Sequence, residues 1–116
     1  MEDLKKDAED NKIMGVLAYL GILVLVPILA AKESPFARFH ANQGLILLIV
    51  ALILSVAIGI LSTILAFISL SLAILTGVLS FAVSIGCLVY MIIGIMNAVK
   101  GEMKELPIIG KYTILK

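Results

Sequence analysis

The side chains in this chain that could do chemistry are few, and they gather at two places. One is "SPFARFHANQG", residues 34 to 44, which holds the only histidine, His40, beside Asn42 and Gln43. The other is Asn97, in "IMNAVKG". At roughly 100° per residue, Phe36, His40, Gln43 and Leu47 share one helical face, while Arg38 and Asn42 point away from it. If the apolar stretches after Gly44 and before Lys100 are antiparallel neighbours, His40 stands level with Ala98, next to Asn97. His40, Gln43 and Asn97 are therefore expected to form a polar cluster at the cytoplasmic mouth of a helical bundle. An imidazole or carboxamide left unpaired in hydrocarbon costs several kcal/mol, and these three groups can satisfy one another. Three roles stay open for them: a clamp that sets helix register, a proton- or substrate-handling site, or plain solvation at the interface.

Other chemistry is not supported. No intramembrane Asp pair, HExxH, Ser-His-Asp set or glycine-rich phosphate loop is present, so no catalytic residue is assigned. The single cysteine, Cys87, excludes an intrachain disulfide, and its distance from His40 along the chain argues against a metal site. No cofactor is expected, and a net charge of +1 gives no reason to expect a nucleic-acid partner.

The elements that must position these groups belong to a membrane protein. Of the 116 residues 62% are hydrophobic, and the mean hydropathy is +1.20. No Asp, Glu, Lys or Arg occurs from Phe39 to Val99, a run several times longer than the ~18 apolar residues that suggest one span. The reading is an all-α integral membrane bundle of three transmembrane helices. A polar tail, residues 1–12, precedes a single transmembrane domain, 13–110, with spans at about 13–31, 44–68 and 72–99, and a C-terminal tail, 111–116, follows. Residues 13–31 are read as a span rather than a cleaved signal, because the preceding segment carries five acids against three lysines. Pro27 should kink that span near its end. Ser34-Pro35 reads as an N-cap followed by proline at the first helical position, so a helix begins at Pro35 and runs into the second span. A tight turn around residues 68–71 divides the long apolar run, and Lys100-Gly101 ends the third span. Lys5, Lys6 and Lys12 then fall on one side of the membrane. Lys32, Arg38, Lys100, Lys104, Lys111 and Lys116 fall on the other, which puts the N-terminus outside and the C-terminus in the cytoplasm.

Small residues recur at alternating spacings of four and three. In the third span these are Ala73, Gly77, Ser80, Ser84, Cys87, Met91, Gly94 and Ala98; in the second they are Gly44, Ala51, Ser55 and Ser62. A turn near Ser69 would set Ser62 against Gly77, Ser55 against Ser84 and Gly44 against Gly94, making the second and third spans a tight antiparallel hairpin. Ordinary packing within the chain, a lining for a path and contact with another subunit all remain open for this seam.

At "SPFARFHANQGLILL" and "IIGIMNAVKGEMKELPIIG" the sequence resembles a broad family of small prokaryotic membrane proteins, itself similar to the twenty-kilodalton membrane subunit of the plastid inner-envelope protein-import translocon. The resemblance rests on F-H-x-x-Q at the entry to a span and on N-A-x-x-G-E and P-x-x-G at the exit. It marks Phe39, His40, Gln43, Asn97, Ala98, Gly101, Glu102, Pro107 and Gly110 as signature positions, and it implies a part in protein translocation. The expected function is a non-enzymatic subunit of a membrane assembly in the cytoplasmic membrane of a prokaryote. Its partners would be membrane lipid and other membrane proteins or itself, as a homo-oligomer. A small oligomeric transporter or channel and a lipid-interacting regulator are the alternatives.

Overall fold

The computed structural model describes residues 2–114, and among them every regular element is helical. The order is α1 (Glu2–Asp10), α2 (Lys12–Leu17), a 3-10 turn (Gly21–Val24) that runs into α3 (Leu25–Ala30), α4 (Pro35–Ile68), α5 (Leu70–Val99) and a last 3-10 turn (Ile109–Lys111).

The two long helices are framed by local chemistry. Ser34 is extended, at φ −87° and ψ 113°, and its hydroxyl accepts the Ala37 N–H at 3.0 Å, with Pro35 in the first turn where no N–H is needed. One extended residue, Ser69, separates α4 from α5, so the two helices fold into a hairpin. α5 ends at Gly101, whose φ of +71° a side chain would resist; Gly101 N–H bonds the Ala98 carbonyl and Glu102 N–H bonds that of Asn97, which closes the last turn. At ~1.5 Å per residue the hairpin arms are roughly 50 and 45 Å long. They set the long axis of a molecule measuring 60 × 22 × 21 Å.

The expected third crossing helix is not found. Among the described residues two helices, α4 and α5, are long and apolar enough to cross a membrane, and residues 13–31 are broken into short pieces. α2 descends beside the hairpin, the chain reverses at Leu20 and Gly21 (φ +67°), and α3 returns toward the start. The return is fixed by Asp7, whose carboxylate accepts the Ser34 hydroxyl at 2.6 Å and the Phe36 N–H at 2.9 Å. The run itself supplies a glycine at the reversal and a proline six residues on, and His40, distant in sequence, holds its tyrosine.

Two further expectations change with it. Residues 2–12 are not a free tail, because α1 buries Ala8 against Gly101 and Asp7 caps α4. The N- and C-terminal segments were expected on opposite sides, yet α1 and residues 100–114 lie together at one end of the hairpin, here called the charged end. Lys116, counted in that expectation, lies outside the described residues.

Within the seam of small residues, two glycines pack against the broken segment. A Cβ on Gly44 would collide with the Ala18 carbonyl, and one on Gly94 with the Tyr19 ring. These two glycines make room for the broken segment, which lies along both helices. Ala51, Ser62, Ala73 and Cys87 are half-buried between the arms, whereas Ser55, Gly77, Ser80 and Ser84 are exposed. Around Gly77 there is open space.

Candidate functional site

The polar groups of residues 34–44 converge on the charged end, where four segments of chain meet. His40 is fully buried on the second turn of α4, ringed edge-on by Phe36, Phe39 and Tyr19 with centroids 4.6, 5.2 and 5.5 Å away. Its Nε2 lies 2.8 Å from the Glu102 carbonyl and its Nδ1 2.6 Å from the Tyr19 hydroxyl. A carbonyl only accepts, so Nε2 carries the proton. The neutral ring therefore accepts the Tyr19 O–H at Nδ1. One imidazole thus ties the tip of the broken segment, α4 and the chain just past α5.

Gln43, one turn further along, uses both ends of its amide. Nε2 donates to the Gly110 carbonyl at 2.8 Å, and Oε1 accepts the Leu106 N–H at 2.8 Å. Asn42 does the same one residue earlier: Nδ2 donates to the Tyr112 carbonyl at 2.9 Å and Oδ1 accepts the Ile114 N–H at 2.6 Å. Successive carboxamides thereby supply backbone partners to residues 106–114, which have no sheet or long helix to supply them. The segment is drawn down as a strap whose bend is a three-residue turn, with Ile109 N–H bonded to the Pro107 carbonyl at 2.7 Å and Ile108 at φ +68°. Leu106 is buried beneath the strap.

The expected trio is not brought together as drawn. His40 and Gln43 each find partners other than Asn97, which is half-buried and contributes its main-chain carbonyl to the helix end. The signature positions have distinct structural tasks. Phe39 packs on the imidazole, and Ala98 leaves room for Gly15 and Phe36 beside it. Gly101 reverses the chain so that the Glu102 carbonyl reaches His40, while the Glu102 carboxylate lies 3.0 Å from Lys104 Nζ. Pro107 forms the strap's turn. Gly110 passes so close to the Gln43 amide and to Glu105 that a side chain would collide.

Two participants were not foreseen. Tyr19 is the only aromatic residue within the apolar run 13–31, and that was its available signal. Asp7 had none, since an acid in a charged segment reads as solvated. Below the lock, Tyr19, Gly21, Gly44, Ala51, Ser84 and Cys87 border a mainly apolar recess of about 280 Å³. Among the described residues no three His, Cys, Asp or Glu side chains are grouped to hold a metal ion.

Residues 10–113 match the magnetosome magnetite crystal formation protein family. Among curated proteins the chain is 30% identical to magnetosome protein MamF of Paramagnetospirillum magneticum over 103 residues, covering 89% of this chain and 82% of the relative. It is 29% identical to magnetosome protein MmsF of the same organism, over 84% and 80% of the two chains. With a UPF0132 membrane protein of Methanocaldococcus jannaschii the identity is 35%, over 87% and 83%. No solved structure matches the chain. The expected kinship with the plastid import subunit is therefore corrected: the family and relatives found are magnetosome and UPF0132 membrane proteins. The boxes behind that expectation build the lock and the helix end, and such geometry carries no mark of a particular cargo.

Proposed function

The chain belongs to the magnetosome magnetite crystal formation protein family, and from that premise we propose that it is a non-enzymatic structural subunit of a prokaryotic cytoplasmic or internal membrane. Its charged end is a structural lock, and its apolar hairpin packs with lipid and with other membrane proteins or further copies of itself. The observation that carries this reading is the use of the polar atoms. Both ring nitrogens of His40 and both amide ends of Gln43 are spent on the chain's own backbone and on Tyr19. Neither His40 nor Gln43 is left poised toward a substrate, as general acid-base chemistry would need. The exposed apolar surface of α4 and α5, including Phe67, Ile68, Leu70 and Phe81 at 68–88% exposure, suits lipid or a neighbouring helix.

Two relatives are named as magnetosome proteins and a third only as a membrane protein. The names extend the proposal to a part in magnetite formation, exercised through the membrane rather than by catalysis. Protein translocation has no place in it.

The purified chain in liposomes tests this. Ion and small-solute flux should equal that of empty liposomes, and extraction in native lipid should recover the chain with itself or with defined membrane proteins. A flux that appears with the chain and is abolished by His40→Ala would reject the structural reading in favour of a transporter.

A further inference from the structure

The molecule has unequal thickness along its length. Between the level of Phe36 and Ala98 and that of Gly44 and Gly94, the broken segment lies against both hairpin arms: Gly15 faces Phe36 and Ala98, the Ala18 carbonyl faces Gly44, and Tyr19 faces Gly94. Beyond Ala51 and Ser84 only two helices remain. Residues 52–57 are all exposed, and positions 59, 77 and 86 have nothing within 4 Å of where a Cβ would stand.

The descending arm, residues 12–19, is about 12 Å long at ~1.5 Å per residue, less than half of a ~30 Å hydrocarbon core. Ala18 and Tyr19, which lead into the reversal, are buried against protein, the condition under which irregular backbone survives in a membrane, whereas Leu20 and Gly21 at the turn itself are exposed. The outer sides of the arms are apolar: Ile13, Ile22 and Leu29 are 66–73% exposed. Charge is as unequal as thickness. All nine basic residues lie before Phe39 or after Val99 in the sequence, which puts the eight among the described residues toward the charged end, and the hairpin tip carries none. All eight acids lie before Phe39 or after Val99 as well, and the positive-inside rule, which counts Lys and Arg rather than net charge, puts such an end in the cytoplasm.

We infer that residues 12–31 are a re-entrant wedge, inserted among the acyl chains of the leaflet that faces the charged end, and that the protein thereby favours membrane curved with that leaflet on its convex side. A body wider in one leaflet takes up more area there than in the other, and the bilayer bends to accommodate the difference; shallow apolar insertions are curvature-sensitive for the same reason. The inference rests on the chain being an integral membrane protein and goes beyond the structural role proposed above. It also requires residues 2–10 and 100–114 to share one membrane face.

The test uses the full chain in giant vesicles containing anionic phospholipid. In a Cys87→Ser background, Asp3→Cys or Thr113→Cys is treated with a membrane-impermeant fluorescent maleimide, with Glu9→Cys as a substitute should either variant express poorly. A second, impermeant maleimide applied from the other side shows whether residues 3 and 113 share a face. Same-face labelling is expected, and labelling from opposite faces overturns the wedge. Tubes are then pulled from vesicles whose label sits outside. Protein density relative to a lipid dye should exceed that of the parent vesicle and rise as the tube narrows. Trimming the outer wedge with Ile22→Ala, Leu25→Ala and Leu29→Ala together should lower the enrichment. Density that does not change with tube radius, or that falls, overturns the inference even where flux measurements uphold the structural role.

Discussion

Glycines that have something beside them differ in their tolerance of a side chain from glycines that face open space. A methyl group at Gly44 or Gly94 would enter space held by the Ala18 carbonyl or the Tyr19 ring, so Gly44→Ala and Gly94→Ala should each destabilise by about 1–3 kcal/mol, the usual cost of overpacking. Gly59→Ala and Gly77→Ala meet open space and should be neutral or stabilising by up to about 1 kcal/mol through helix propensity. Thermal midpoints of the four variants in one detergent check this, and equal effects at all four would contradict the packing. Gln43→Leu makes a second prediction. It leaves the buried Leu106 N–H and the Gly110 carbonyl without their partner, at about 1–3 kcal/mol for each group. Limited trypsin digestion should show cleavage at Lys104 and Lys111 accelerating before the hairpin is lost.

Among the elements, the hairpin was legible and the broken segment was not. Ser34-Pro35 and the stop at Gly101 are local signals, each contained within a few residues, whereas the turn at Ser69 is legible from the length of the apolar run, which is too long for one span. Residues 13–31 satisfy the same apolar-length criterion as a true span, because hydropathy records how much of a segment is apolar and not which way it travels. What redirects the segment is a set of contacts far apart in sequence: Tyr19 with His40, Asp7 with Ser34 and Phe36, Ala18 with Gly44. The candidate site was half legible for the same reason. His40 and Gln43 stand out as polar groups in an apolar helix, and Pro107 to Gly110 can be read as a cap over them, but level along a hairpin points to Asn97 as their partner because the contacts with the strap and the returning arm join residues far apart in sequence. Asp7 makes the element-scale prediction. Its carboxylate supplies acceptors and negative charge at the N-terminus of α4, so Asp7→Ala should cost about 0.5–2 kcal/mol, the range for a lost cap. Asp7→Asn, which retains an acceptor, should cost less. Loss of stability equal in the two variants would show that the charge, not the hydrogen bonds, holds α1 in place.

For the whole molecule, His40 is where the parts are joined: one buried ring takes the hydroxyl of Tyr19 from the broken segment and gives its proton to the Glu102 carbonyl beyond α5. If that junction holds the charged end together, the wedge, the hairpin and the C-terminal strap are stable only as a unit, and the wedge-shaped profile in the membrane follows from it. The direct measurement is a pair of double-mutant cycles on stability in the same detergent, one for Tyr19→Phe with His40→Ala and one for Asn97→Ala with His40→Ala. The Tyr19 pair should be coupled by about 1–2 kcal/mol, the double variant losing less than the sum of the single ones, while the Asn97 pair should be additive within about 0.5 kcal/mol. Additivity between Tyr19 and His40, or coupling found at Asn97 instead, would contradict that junction.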